Sequence, residues 1–182
     1  MSLTAFPFAA FMVHPERSRG FTLIEVLITT LVVGIGLLGL AGLQTASLRS
    51  TQSAEQFTEA ARLAAEMADR MRANPQGVNA GHYDNNSNAT SVGCLGAAGC
   101  SPEQLANDDM AQWREALKAR LPGGSSVTGV VCIDSNPNNG PPTPADPSCD
   151  AGGNIYTIKI WWDGQRQGNP SKFDLFVTSF RP

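Results

Sequence analysis

Residues 21–43 read FTLIEVLITTLVVGIGLLGLAGL, and Glu25 is the only charged side chain among them. As a helix this stretch rises roughly 35 Å, enough to cross a hydrocarbon core of about 30 Å. Three arrangements fit such a run. The first is the core helix of a small domain, but the stretch is apolar on every side and long for that duty. The second is a cleaved secretory signal. Gly39-Leu40-Ala41 offers small residues at cleavage spacing, yet the run exceeds the roughly 7–15 residues of a signal core. The third starts from Glu25. A carboxylate inside a bilayer costs a few kcal/mol on insertion scales, so it needs a partner. This membrane-embedded reading is the one the residues favour.

The chain taken whole is of ordinary composition. Its 182 residues suit one domain plus an extra element. Hydrophobic residues make up 42% and charged residues 16%, with 18 Gly and 12 Pro, so the chain is rich in loops. The net charge is −3. Without a basic cluster to displace counterions from phosphates, no nucleic-acid partner is expected.

Immediately before the apolar run stand Arg17 and Arg19, then Gly20-Phe21-Thr22-Leu23-Ile24-Glu25. This segment resembles the class III signal, the processing motif of type IV pilins and of type II secretion pseudopilins. The resemblance implies that a prepilin peptidase cuts between Gly20 and Phe21 and that Phe21 is N-methylated. Glu25 is then the retained carboxylate. In a bundle of apolar helices, Glu25 of one subunit would pair with the terminal amine of a neighbour. Such a pair fixes register, because either charge left alone costs roughly 3–5 kcal/mol. Leaders in the family are short, whereas Met1 lies far upstream of the cut. A start at Met12 would give the leader MVHPERSRG, and the apolar residues around Phe6-Pro7-Phe8 would then be an extension.

Helical periodicity continues past Leu43. Phe57, Ala60, Ala61, Ala64, Met67, Ala68 and Met71 recur at spacings of three and four, with Glu55, Glu59, Arg62, Glu66 and Arg70 between them. Asn74-Pro75 ends the run. One helix from about 21 to 73 is expected, first lipid- or subunit-facing, then amphipathic. Gly34, Gly36, Gly39 and Gly42 weaken its middle. They serve either close helix contact or local unwinding in a fibre.

The globular part is expected to begin with a loop over 76–100. Ser101-Pro102-Glu103-Gln104 carries the cap, first-position Pro and capping-box Gln of a helix start. Leu105, Met110, Trp113, Leu117 and Leu121 supply that helix's apolar face. Asp108 and Asp109 lie early and Lys118 and Arg120 late, as the macrodipole prefers. Strands are expected over 127–133, 154–162 and 172–180, with Asp163-Gly164 opening the last turn. Trp161 and Trp162 alternate sides of their strand. One is expected in the core, and the other is either a subunit contact or partly covered by the long helix. The expected fold is α+β, a long N-terminal helix packed on a small antiparallel sheet with one additional helix. That is also the pilin-like architecture the resemblance implies.

Cys94, Cys100, Cys132 and Cys149 are even in number and follow the membrane segment, so periplasmic disulfides are expected. Three connectivities are possible. Cys94–Cys100 with Cys132–Cys149 is favoured, because the second bridge would clamp the Pro-rich excursion 134–153 between neighbouring strands. No zinc knuckle spacing is present. Asp84–Asn88 and Asp134–Asn139 begin like calcium loops but lack the turn Gly and the closing Glu. His82 reads as a solvated loop residue. With no nucleophile motif, phosphate loop or metal-binding His pair, no enzyme, cofactor or metal is expected.

LLGLAGLQ (37–44), the alanine-rich helix and MADRMRANP (67–75) are similar to the PilV minor pilins, the type IV pilus modification proteins. LPGG (121–124) and Ile160-Trp161-Trp162-Asp163 fit more loosely. The resemblance implies a leader over 1–20, a transmembrane and assembly helix over 21–43, its amphipathic continuation over 44–74 and a periplasmic headgroup over 75–182. It implies an inner-membrane protein that enters the pilus and helps to prime or cap assembly. The partners would be other minor and major pilins, the prepilin peptidase and the inner-membrane assembly platform. A minor pseudopilin of type II secretion and a tip adhesin are the alternatives.

Overall fold

A computed structural model describes residues 20–94, 96, 99–137 and 140–182. The expected leader, apart from Gly20, lies outside the described residues, as does the Met1-or-Met12 question. The chain forms two compact units, one ending at Ala46 and the other running Ser47–Pro182.

In the first unit, helix α1 (Leu23–Ala73) begins. Up to Ala46 its side chains are all exposed. Gly34, Gly36, Gly39 and Gly42 are helical, and nothing lies within 4 Å of where a Cβ would sit on any of them.

In the second unit, the rest of α1 buries Ala60, Leu63, Ala64, Met67, Ala68 and Met71. The stripe differs from the expected one at three places. Leu63 is buried, Ala61 is only half-buried, and Phe57 stays 39% exposed with its ring edge-on to that of Trp162 at 4.9 Å. Asn74 ends α1, and its side chain is buried. It does not lead straight into a loop: a short helix, α2 (Pro75–Asn79), follows. The Asn74 carboxamide oxygen caps it by accepting the Gly77 N–H at 3.1 Å, and Pro75 fills the first turn. Gly77 is needed there, because a Cβ would strike the Asn74 side chain.

Helix α3 (Pro102–Arg120) starts with the expected capping box between Ser101 and Gln104. Met110, Trp113 and Leu117 are buried, Leu121 is buried just after the helix, and Leu105 is only half-buried. The Trp113 Nε1–H donates to the Leu63 carbonyl at 2.9 Å and ties α3 to α1.

Three strands make an antiparallel meander: β1 (Thr128–Ile133), β2 (Tyr156–Trp162) and β3 (Asp174–Phe180), in the order β1-β2-β3. Val130 faces Lys159, and Lys159 faces Val177. Tyr156, Ile158, Ile160 and Trp162 join the core formed with α1 and α3. The fold is α+β and pilin-like, a long helix packed on a three-stranded sheet.

The opposite face of β2 is covered as well. All seven β2 residues are buried. Trp161 is 2% and Trp162 0% exposed, so neither is a free surface for subunit packing. The 134–153 excursion folds over this side, and the Trp161 Nε1–H donates to the Pro142 carbonyl at 3.3 Å.

Candidate functional site

The N-terminal junction is built around Thr22. Its carbonyl accepts the N–H groups of Glu25 (3.0 Å) and Val26 (3.2 Å), and its hydroxyl accepts the Glu25 N–H at 3.3 Å. Thr-x-x-Glu is capping-box spacing. Thr22 therefore starts α1 and places Glu25 in the first turn, where the helix dipole favours a carboxylate. Gly20, Phe21 and Glu25 are all exposed. Gly20 and Phe21 lie outside the helix, directly before the Thr22 cap.

Beyond Glu25 the helix shows solvent Leu27, Ile28, Leu31, Val32, Ile35, Leu38 and their neighbours. Its polar groups are satisfied locally. The Thr29 and Thr30 hydroxyls donate to the Val26 carbonyl, both at 2.9 Å. A helix that exposes apolar side chains all round and hides its hydroxyls suits lipid or a bundle of like helices. This helix is long and apolar enough to cross a membrane.

In the headgroup, Cys94 is bonded to Cys100 and Cys132 to Cys149. Behind the second bridge lies a group that the sequence reading missed. Lys159 and Asp134 have side chains 0% exposed and pair at 2.6 Å. The Lys159 ammonium also donates to the carbonyls of Pro147 (2.7 Å) and Ser148 (3.3 Å). All three acceptors belong to the excursion, so the lysine straps it onto β2. The available signal was a Lys in the apolar β2 pattern, facing a loop that begins with Asp134. Asp150 holds the other end of the excursion. It accepts the Ser135 hydroxyl and the N–H groups of Ser135 (2.9 Å) and Gly152 (2.8 Å), which keep its carboxyl at about 2.

Two acids read as helix-dipole partners are likewise buried. Asp108 accepts the Ser91 hydroxyl (2.6 Å), the N–H groups of Val92, Gly93 and Cys94, and the Gln112 amide (2.8 Å). The Ser91 hydroxyl foremost, together with the backbone donors, holds its carboxyl below the usual range against the opposing effect of burial. Asp109 accepts the Tyr83 hydroxyl (2.7 Å) and the Arg70 guanidinium (3.3 Å). Burial and Asp109 push the Tyr83 phenol upward. Asn74 donates to the Tyr83 oxygen at 3.1 Å and closes the network between α1 and α3.

These groups position loops. The sulfurs of Cys132 and Cys149 and an Asp134 oxygen lie within 4.8 Å of one another, a metal-like cluster, but the sulfurs are joined to each other and Asp134 is held by Lys159. Asp84, which opens the other calcium-like run, accepts the Ile133 N–H at 2.8 Å. His82 is half-buried, and its carbonyl accepts from Asn86. Among the described residues no buried side-chain nitrogen or oxygen lacks a partner.

Residues 16–41 match the family model for the prokaryotic N-terminal methylation motif. Residues 42–111 match the family model described as type IV pilin Tt1218. No curated protein and no solved structure matches the chain. The two models adjoin and together take in the junction, all of α1 and about the first half of α3. A methylation motif leading into an exposed apolar helix that fits a membrane anchor, with a pilin-like α+β headgroup behind it, supports a type IV pilin carrying the class III signal.

Proposed function

We propose that this pilin is a minor pilin of the PilV type, processed between Gly20 and Phe21, that joins sibling pilins to initiate pilus assembly. Its role is structural. The observation that carries the reading is the capped junction Gly20–Glu25 opening onto an exposed apolar helix, within the stretch matched to the methylation motif. The leader is removed at the cytoplasmic face, α1 anchors the subunit in the inner membrane and the headgroup folds in the periplasm, where its disulfides form. During assembly α1 exchanges lipid for neighbouring helices, and Glu25 meets the terminal amine of Phe21 in an adjacent subunit. The long loops and two disulfides give the headgroup a surface of its own with which to occupy a specific position among siblings.

The test uses protein from native membranes and from sheared surface filaments. A peptide beginning with N-methylated Phe21, found in both, is the expected result. Glu25→Gln should leave trimming largely intact and cripple incorporation, because the neighbouring amine then lacks its counter-charge. A chain starting near Gly42 would mean ordinary signal cleavage and would overturn the reading. Normal pili with loss of exoprotein export in a deletion strain would assign the chain to type II secretion instead.

A further inference from the structure

Arg114 lies on α3 in an unusual setting. Its guanidinium donates to three backbone carbonyls: Nη2 to Asn86 (2.5 Å), Nη1 to Ser87 (3.3 Å) and Nε to Gly129 (3.4 Å). It is half-buried, and among the described residues no carboxylate pairs with it. Burial lowers its affinity for the proton. Three of the five guanidinium N–H groups are used, which leaves two without a partner.

Arg114 borders an open depression of about 690 Å³, which Ser87, Thr90, Gln112, Glu115 and Lys118 also line among others. Lys118 lies one turn beyond Arg114 on the same helix. Its bond to Glu115 (2.8 Å) is a surface pair between well-exposed groups, worth little, so the ammonium can turn to a better acceptor. Asp108, behind Ser91 and Gln112, is already saturated by five donors. The lining thus carries two cations against one exposed acid, on a chain of net negative charge. The Ser87 and Thr90 hydroxyls make no hydrogen bond within the described residues and can serve ligand hydroxyls.

We propose that this depression binds a carboxylate flanked by hydroxyls, the chemistry of an acidic saccharide. The two remaining Arg114 N–H groups take the carboxylate, Lys118 adds charge from one turn away, and Thr90 and Ser87 hydrogen-bond the sugar hydroxyls. The proposal stands apart from the processing and assembly reading, because none of these residues belongs to α1.

The test is a titration of the full processed chain in detergent micelles with sodium glucuronate, against glucose and sodium chloride at matched ionic strength. Glucuronate should bind in about the millimolar range expected of a small polar ligand, and glucose should not. Lys118→Ala and Thr90→Val should each weaken binding at least about threefold with Tm unchanged, since both side chains are at the surface. Arg114→Gln should abolish it, although that variant also loses the three carbonyl straps. Glucuronate binding no tighter than chloride, or unaltered by both surface variants, would overturn the site. Binding by free subunits that vanishes in assembled filaments would hand the anion to a neighbouring subunit and overturn the saccharide assignment.

Discussion

Lys159 shows how one side chain can hold a loop that has no regular structure. Its charge is buried with Asp134 and completed by two carbonyls, all from the excursion. Lys159→Met should cost about 3–5 kcal/mol in urea unfolding, because Asp134 is left uncompensated. Lys159→Met with Asp134→Leu should recover most of that loss, since a well-packed apolar pair is often no worse than a buried ion pair. If the double variant were as unstable as the single one, the strap would owe its strength to the carbonyl contacts. Asp108 makes a pH prediction. Its folded-state pKa is lowered, so the stability it contributes is complete above the unfolded value of about 3.9 and is lost as pH falls through the folded one. Asp108→Asn should flatten the acid limb of a Tm-against-pH curve and release the 91–94 loop.

The elements are set by a few local contacts. The capping box of α3 satisfies otherwise orphaned N–H groups, and Ser101→Ala should cost about 1 kcal/mol by chemical denaturation. Gly129 in β1 is a different case. A Cβ there would strike Leu117 and Trp113, the side chains through which α3 lies on the sheet. Gly129→Ala should therefore destabilise by about 1–3 kcal/mol through overpacking. A neutral result would mean that α3 can shift freely on β1. The two outer strands also differ. The Val131 carbonyl accepts the Asn85 N–H (2.8 Å), and the Ile133 carbonyl accepts the Ala151 N–H (3.0 Å), so loops cover the edge of β1.

The molecule as a whole relies on cross-links because its core is small. The Cys132–Cys149 bridge closes a loop of 17 residues and should contribute about 3 kcal/mol in the chain-entropy picture. Replacing both cysteines with Ala should lower the urea midpoint accordingly. Bridge and strap hold the same excursion, so adding Lys159→Met to that variant should cost clearly less than it does alone. Additive losses would show that the two act on separate parts of the loop. In a reducing compartment the chain should lose this excursion first, which fits a headgroup matured outside the cytoplasm.

How much of this was legible beforehand follows from the range of the forces involved. The long helix, the capped α3 and the three strands announce themselves through periodicity and turn chemistry over neighbouring residues. The methylation motif does so around six consecutive residues, Gly20–Glu25. The favoured cysteine pairing followed from which strand ends had to meet. Other features depended on contacts distant in sequence. A Lys within the apolar β2 pattern hints at burial but does not name its partner, and nothing local distinguishes Asp108 and Asp109 from dipole partners at a helix start. The covering of Trp161 required knowing where the Pro-rich excursion comes to rest. Residue order alone thus determined that a greasy helix with a methylation motif precedes an α+β headgroup, because hydrophobic period, caps and motif are properties of the chain itself. Only the tertiary structure decided which charges are buried and which aromatic rings are hidden. Desolvation depends on which distant segment folds over a residue, and no stretch of sequence carries that by itself.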